Sequence, residues 1–388
     1  MKTLRRISKN RAFTHVRILT AVLLVLAATA LVFMAVSPRA AAQRTGRPQP
    51  LTPKFSDAVA FDVSPALRSM PRIARPLTFP PDTVVEPRER NQEGPKAHRV
   101  RPYSADGVRQ LLSPTPTIPG PLQTFEGLSN LDNFNIFGFR VNPPDPNGEV
   151  GPNHYVEMIN LVFAVYDKAG NRLVGPMDTG SLWAGFAIPD CTDPSGDPVV
   201  LYDQFMDRWL LSQFTTRGPE YFNCVAISTT SDPTGSYYRY AFSTGPNFPD
   251  YPKYGNWTDS YVITTREFGP TIEYGIGVYA LEKNKMVNGQ PARSVRFFID
   301  GNNPELLPLV GDGLLPADVD GKQKPKTDAA IPIVGTQDDN ASYGATFDAL
   351  NIWDLIVRWR STPVATLELN TQLPTAAFDS IFPCGPDS

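Results

Sequence analysis

Four aspartates stand at the lead-ins to runs of β-branched and aromatic residues: Asp145, Asp197, Asp250 and Asp318. Carboxylates gathered from separate parts of a chain can ligate Ca²⁺, accept hydrogen bonds from sugar hydroxyls, or act as acid and base on a glycosidic bond. The last task needs two carboxyl groups about 5–10 Å apart, one of them with a raised pKa. Asp197 and Asp250 are the pair that the sequence nominates. Tyr251, Tyr254 and Trp257 lie beside Asp250 and offer rings to a sugar face, although such rings more often fill space between sheets. Asp145, Asn147 and Glu149 alternate as a short Ca²⁺ loop would, and Asp338-Asp339-Asn340 is a second acidic cluster. Neither matches the twelve-residue EF-hand pattern. The aspartates also have a plainer use, since Asp caps local N–H groups in turns and a following Pro fixes φ.

Several chemistries lack material. His154 is the only His after residue 98, too few for a His-rich zinc site or a conventional Ser-His-Asp triad. No Gly-x-Ser-x-Gly elbow or phosphate-binding P-loop occurs, and Gly275-Ile276-Gly277 lacks the third glycine of a dinucleotide fingerprint. Asn256-Trp257-Thr258 and Asn340-Ala341-Ser342 fit the N-glycosylation pattern.

The lead-ins recur at a nearly constant interval, and this predicts the elements that must position the aspartates. Asp145-Pro146, Asp197-Pro198 and Asp250-Tyr251-Pro252 are about 52 residues apart, somewhat longer than the blade period of known propellers, and Pro316-Ala317-Asp318 is a looser fourth. From Gln123 onward, short runs rich in Val, Ile, Phe, Tyr, Trp and Thr alternate with Gly, Pro, Asn and Asp, the texture of an all-β fold. About fifteen strands in a repeating array predict a β-propeller with about four recognisable blades. Asp145, Asp197, Asp250 and Asp318 would then ring its central channel. Tyr166-Asp167 with Arg172-Leu173 and Tyr202-Asp203 with Arg208-Trp209 match as a second repeat signature. Helical signal is confined to Ser104–Leu112 and one turn at Glu282–Val287, and a strand at Gln123–Gly127 is expected to pair with the last blade.

The first 42 residues hold seven Lys or Arg, no Asp or Glu, and an apolar run over residues 18–36 that ends near Ala40-Ala41-Ala42. This pattern predicts export, by a cleaved signal peptide or with residues 18–36 as a membrane tether. Residues 43–122 carry fifteen prolines and no apolar period, as expected of a disordered linker or pro-segment with short fragments docked on the domain at 123–388. Without the first 42 residues the net charge is about −10. Nucleic acid is therefore not an expected partner, because no basic stripe with interleaved aromatics follows residue 122. Of three cysteines, Cys191 and Cys224 are the expected disulfide in an oxidising compartment. Pro383-Cys384-Gly385-Pro386 ends without a closing strand pattern, which predicts a longer gene and an incomplete propeller.

Asp145-Pro146-Asn147-Gly148-Glu149-Val150-Gly151-Pro152-Asn153-His154-Tyr155-Val156, Gly196-Asp197-Pro198-Val199-Val200-Leu201-Tyr202-Asp203 and Ser231-Asp232-Pro233-Thr234-Gly235-Ser236-Tyr237-Tyr238 resemble a group of large secreted bacterial proteins of β-propeller type. The likeness covers residues 123–383 and implies a fold without naming a reaction. Composition, address and resemblance together lead to a secreted or cell-surface module that binds a glycan or protein. Its alternatives are a carbohydrate-active hydrolase using channel carboxylates and a structural spacer. Ca²⁺ is the one ion that the acidic clusters nominate.

Overall fold

A computed structural model describes residues 50–70, 84–85, 119–272, 274–321, 323–339, 343–378 and 380. Strands β1 (Lys54–Asp57) and β2 (Ala60–Val63) come first, and β3 (Val84–Val85) pairs in parallel with β4 (Arg140–Val141). Four antiparallel meanders follow. Sheet one is β5 (Asn147–Val150), β6 (His154–Ile159), β7 (Val162–Asp167) and β8 (Arg172–Asp178). Sheet two is β9 (Val199–Asp203), β10 (Arg208–Phe214), β11 (Tyr221–Ser228) and β12 (Tyr237–Gly245). Sheet three is β13 (Phe248–Asn256), β14 (Ser260–Phe268), β15 (Gly275–Glu282) and β16 (Arg293–Asp300). Sheet four is β17 (Leu314–Pro316), β18 (Ile331–Gln337), β19 (Ala349–Arg358) and β20 (Val364–Pro374). The first strands meet in sequence, β5 against β9, β9 against β13, and β13 against β17. The all-β expectation holds.

Alternation along each strand divides the core. Successive side chains point to opposite faces, so Val200, Trp209, Leu211, Cys224 and Ala226 of sheet two pack on Val156, Phe163 and Val165 of sheet one. Their neighbours Leu201, Leu210, Val225 and Ile227 pack on Tyr261, Ile263 and Leu281 of sheet three. The opposite face of sheet three, with Val262, Val278 and Phe297, meets Ile333, Trp353 and Leu355 of sheet four. Both faces of the two middle sheets are therefore covered, and every residue of β11 and β15 is buried. Sheet four has one covered face, and β19 alternates between buried and more open positions along its length.

Part of the proline-rich stretch belongs to this domain. β1 adds to β16 as a fifth strand of sheet three, and β2 adds to β12 as a fifth strand of sheet two. Phe61 stacks on Tyr240 with centroids 4.8 Å apart, and Phe55 meets the edge of Trp359. Arg239, buried on β12, grips Asp62 through Nε at 2.7 Å and Nη2 at 2.6 Å, and also donates to the carbonyls of Leu182 and Ala184. Four-residue strands are too short to give a hydrophobic period, which is why this strap reads as linker from its sequence. The remainder of the expected linker, the tether at 18–36, the helix at Ser104–Leu112 and Cys384 lie outside the described residues. Among the described residues, no helix is long and apolar enough to cross a membrane.

Two expectations are corrected. Residues 123–127 form no strand. Phe125 instead packs on Tyr155 and Tyr166 of sheet one, and Glu157 accepts from Leu128 N at 2.8 Å. This segment leads into helix α1 (Asn130–Phe137), started by Ser129 and Asp132 in a reciprocal capping box and ended by Gly138 at φ 80°. The two Tyr-Asp signatures are not equivalent either, since Asp167 closes the β7–β8 hairpin whereas Asp203 closes β9–β10. Each aspartate accepts from backbone N–H groups of its own turn, Ala169 and Asn171 for Asp167, Phe205 and Met206 for Asp203. The shared motif is turn chemistry, not a blade repeat.

Cys191 and Cys224 are joined, with Cα atoms 6.1 Å apart and a sequence separation of 33. Reducing the bond, or replacing both cysteines by Ser, should lower unfolding stability by about 3–4 kcal/mol on the loop-entropy scale, read as a shift in the urea midpoint. Arg239→Ala should remove about 1–3 kcal/mol, because Asp62 can regain water once its partner is gone. It should also expose residues 50–70 to limited proteolysis before the rest of the chain.

Candidate functional site

At the leading end of β13 the strand carries a bulge between Asp250 and Lys253. Pro252 has no N–H to give to β14, and the extra residue turns Tyr251 outward. Tyr251 is 49% exposed and sits at φ 51°, a left-handed conformation that an aromatic residue rarely adopts. Its N–H donates to Asp250 Oδ1 at 2.8 Å and to Asp197 Oδ2 at 3.1 Å. Two buried carboxylates thus share one donor and hold the backbone in that shape. Their nearest oxygens lie within about 6 Å, at the short end of glycosidase spacing. Lys253 Nζ is 3.4 Å from the Tyr251 ring centroid, and the Arg266 guanidinium is 6.0 Å away.

Asn160, in the tight turn between β6 and β7, ties this end of the sheets together. Its Nδ2 donates to Asp145 Oδ2 at 2.8 Å and to the Pro143 carbonyl, and its Oδ1 accepts from Asp197 N at 2.7 Å. Asp145 and Asp197 both take positive φ, 39° and 50°, directly before a proline, as does Tyr251. Asp tolerates this conformation better than most residues. The structural repeat is therefore a left-handed residue followed by Pro, and its third member is Tyr251, where the sequence suggests Asp250.

Asp318 does not join the other aspartates. It follows β17 and lies at the trailing ends of the first strands, where its Oδ1 accepts from Asn256 N at 2.8 Å. The expected ring of four aspartates is thus divided between opposite ends, because β17 begins before the Pro316-Ala317-Asp318 motif. At the trailing end Glu149 is half-buried, and its carboxyl is pushed above the ordinary range by burial and then by Asp320 and Asp318. Asp318 is also raised, by packing on its inner side and then by Asp320 and Asp203, although its outer edge stays in water and moderates the effect. Gln204 bridges to this cluster through Asp320 Oδ1 at 2.6 Å and Gly321 N at 3.2 Å.

Other nominated residues have structural placements. Tyr254 and Trp257 are buried in the cores on either side of sheet three, so neither can stack on a ligand. Asn147 Oδ1 accepts from Val200 N at 2.7 Å and Glu149 Oε1 from Val150 N, so Asp145, Asn147 and Glu149 face different partners rather than one ion. Asp338 and Asp339 are joined by Asp348, with ligand atoms within 4.8 Å of one another, the set among the described residues best placed to hold a cation. Asp338 Oδ2 also accepts from Ser380 N, and Asp348 from Asp339 N and Phe378 N, so the cluster fastens the chain that follows β20. A cavity of about 420 Å³ lies between Leu51 and Lys54 of the strap and Arg296 and Phe298, on the outer rim and apart from both carboxylate groups.

Two buried polar networks lie outside the nominated carboxylate sites. Lys283, in the short helix α2 (Lys283–Met286), is fully buried and reaches Asp203 Oδ2 at 2.6 Å, Asn256 Oδ1 at 2.6 Å and the Trp257 carbonyl at 2.7 Å. Tyr261 OH donates to the same Asp203 oxygen at 2.9 Å. Within sheet three, buried Glu267 receives Arg296, Tyr279 and Asn247. The only sequence signal for the first network was Tyr202-Asp203, which looked like a repeat. The second had none, because its members are spread across three strands and the turn before β13.

No protein-family model matches this chain, and no curated protein matches it.

The raised pKa of Glu149 fixes a sign. A carboxyl whose folded pKa is raised favours the fold below its ordinary value of 4.5, and that contribution is lost as pH rises through the raised value. Glu149→Gln should therefore be more stable than the parent at about pH 7, with the difference closing below about pH 4. Urea midpoints at the two pH values measure this, and parallel midpoints across that range would count against the assignment.

Proposed function

We propose that this chain is an exported β-propeller module that binds a glycan at the rim around Tyr251, related to the large secreted bacterial proteins its motifs resemble. Four successive meanders whose first strands meet in order support the propeller arrangement, as does the repulsion between Glu149, on the first strand of sheet one, and Asp318, just after the first strand of sheet four. The disulfide suits an oxidising exterior.

Tyr251 carries the binding reading. A half-exposed aromatic at positive φ is strained, and such strain collects at ligand clamps. The bulge, the proline and two buried carboxylates all act to keep the ring pointing outward. A ring presented this way can stack on the apolar face of a sugar, while the nearby carboxylates and Lys253 supply polar contacts.

Hydrolysis by Asp197 and Asp250 is the second reading, favoured by the closeness of their oxygens. Against it stands the Tyr251 N–H that both already hold. The purified full chain should bind a defined set of sugars on a glycan array, and Tyr251→Ala should weaken the best of them by about tenfold or more in calorimetry, the size of one aromatic anchor. Turnover of such a sugar, abolished by Asp197→Asn or Asp250→Asn, would move the assignment to a hydrolase. A cooperatively folded sample that binds no sugar would sink the glycan reading and leave a protein partner or a spacer.

A further inference from the structure

Lys283, Asn256 and Asp203 meet in a way that an ordinary ion pair does not require. Lys283 Nζ touches the carboxamide oxygen of Asn256 at 2.6 Å. Asp203 touches both, with Oδ2 at 2.6 Å from Nζ and Oδ1 accepting from Asn256 Nδ2 at 3.3 Å. All three side chains are buried, and the Phe205 and Tyr261 rings lie 5.9 and 5.1 Å from Nζ. We propose that these residues form an intramolecular isopeptide bond between Lys283 Nζ and Asn256 Cγ, with Asp203 as the proton shuttle.

The chemistry needs no outside reagent. Neutral Nζ attacks Cγ, the Cγ–Nδ2 bond breaks, and ammonia leaves. Asp203 takes a proton from Nζ through one oxygen and delivers it to departing Nδ2 through the other, so it ends as it began. The product is a secondary amide, and the atoms lost are one NH₃. Each requirement is present. Burial pushes the Lys283 amine below its ordinary value, even though Asp203 opposes the shift, and this favours the nucleophilic form. The leaving nitrogen points at the acid that must protonate it. Exclusion of water removes the competing hydrolysis of the amide. Holding amine and amide in contact supplies the large effective concentration that an uncatalysed aminolysis lacks. Cγ, the atom to be attacked, is one bond beyond the Oδ1 that Nζ already touches.

The site also has an internal timing. Asn256 lies on sheet three and Lys283 on the helix that directly follows β15 of that sheet, but Asp203 belongs to sheet two, so the shuttle arrives only when the two sheets dock. The bond would tie the trailing end of β13 to α2, across 27 residues. Asn256 is also the acceptor of one glycosylation pattern, yet its burial in the folded chain leaves its amide facing Lys283 rather than solvent.

Peptide mapping of the full-length protein, denatured before digestion, tests this directly. The expected result is a branched peptide joined at Asn256 and Lys283, lighter by one ammonia than its two linear parts, with no cleavage after Lys283. Lys283→Arg, which keeps a cation beside Asp203 but cannot form the amide, and Asp203→Asn should both return linear peptides only. Quantitative recovery of unmodified linear peptides from the parent protein would overturn the proposal, and needs no variant to fold. A branched peptide that persists in Asp203→Asn would overturn the role of Asp203 as shuttle.

Discussion

Stacking four sheets face to face puts both sides of sheets two and three out of reach of water, and most of the polar architecture is a response to that constraint. A strand buried on both faces can still pair its backbone within the sheet, but any charged side chain on it must find partners inside. Glu267 does so with an arginine, a tyrosine and an asparagine, and Asp203 with a lysine, a tyrosine and two turn amides. Such networks are favourable only when nearly every donor and acceptor is used, and removing one member leaves a charge stranded in a dry place.

These networks also select neighbours. Hydrophobic faces rich in Val, Ile and aromatic rings would accept several partners of similar shape, whereas the Asp203 carboxylate of sheet two fits only where Lys283, Asn256 and Tyr261 of sheet three converge. The opposite ends of the same strands use backbone donors for the purpose, with Asn160 of sheet one meeting Asp197 of sheet two, and Asp197 meeting Tyr251 of sheet three. Sheets two and three are thus indexed to each other at both ends.

Much of the secondary structure was legible, because strands such as Val199–Asp203 and Ile331–Gln337 are bounded by turn residues and filled with β-branched or aromatic side chains. The closeness of Asp197 and Asp250 was legible too, since positions one period apart fall on adjoining first strands. What failed had local causes. Asp318 lies after its strand rather than before it, a displacement that a loose interval cannot reveal. Helix α1 lacks a strong apolar period and is set by its cap and by packing of Phe137 on Ile159 and Val162. Lys283 looks from its sequence like any surface lysine, and only tertiary packing buries it.

The strap brings a kinetic consequence. Ser56 meets Ser294 across 238 residues of chain, and Arg239 reaches back 177 residues to Asp62. Contacts of such separation form late and slowly, since the loops between them must close before any contact rewards the closure. A chain synthesised N-terminus first presents β1 and β2 long before β12 and β16 exist to receive them. The strap therefore waits on the finished sheets and, when it seats, covers the outer edges of sheets two and three that would otherwise be open to a strand from another molecule.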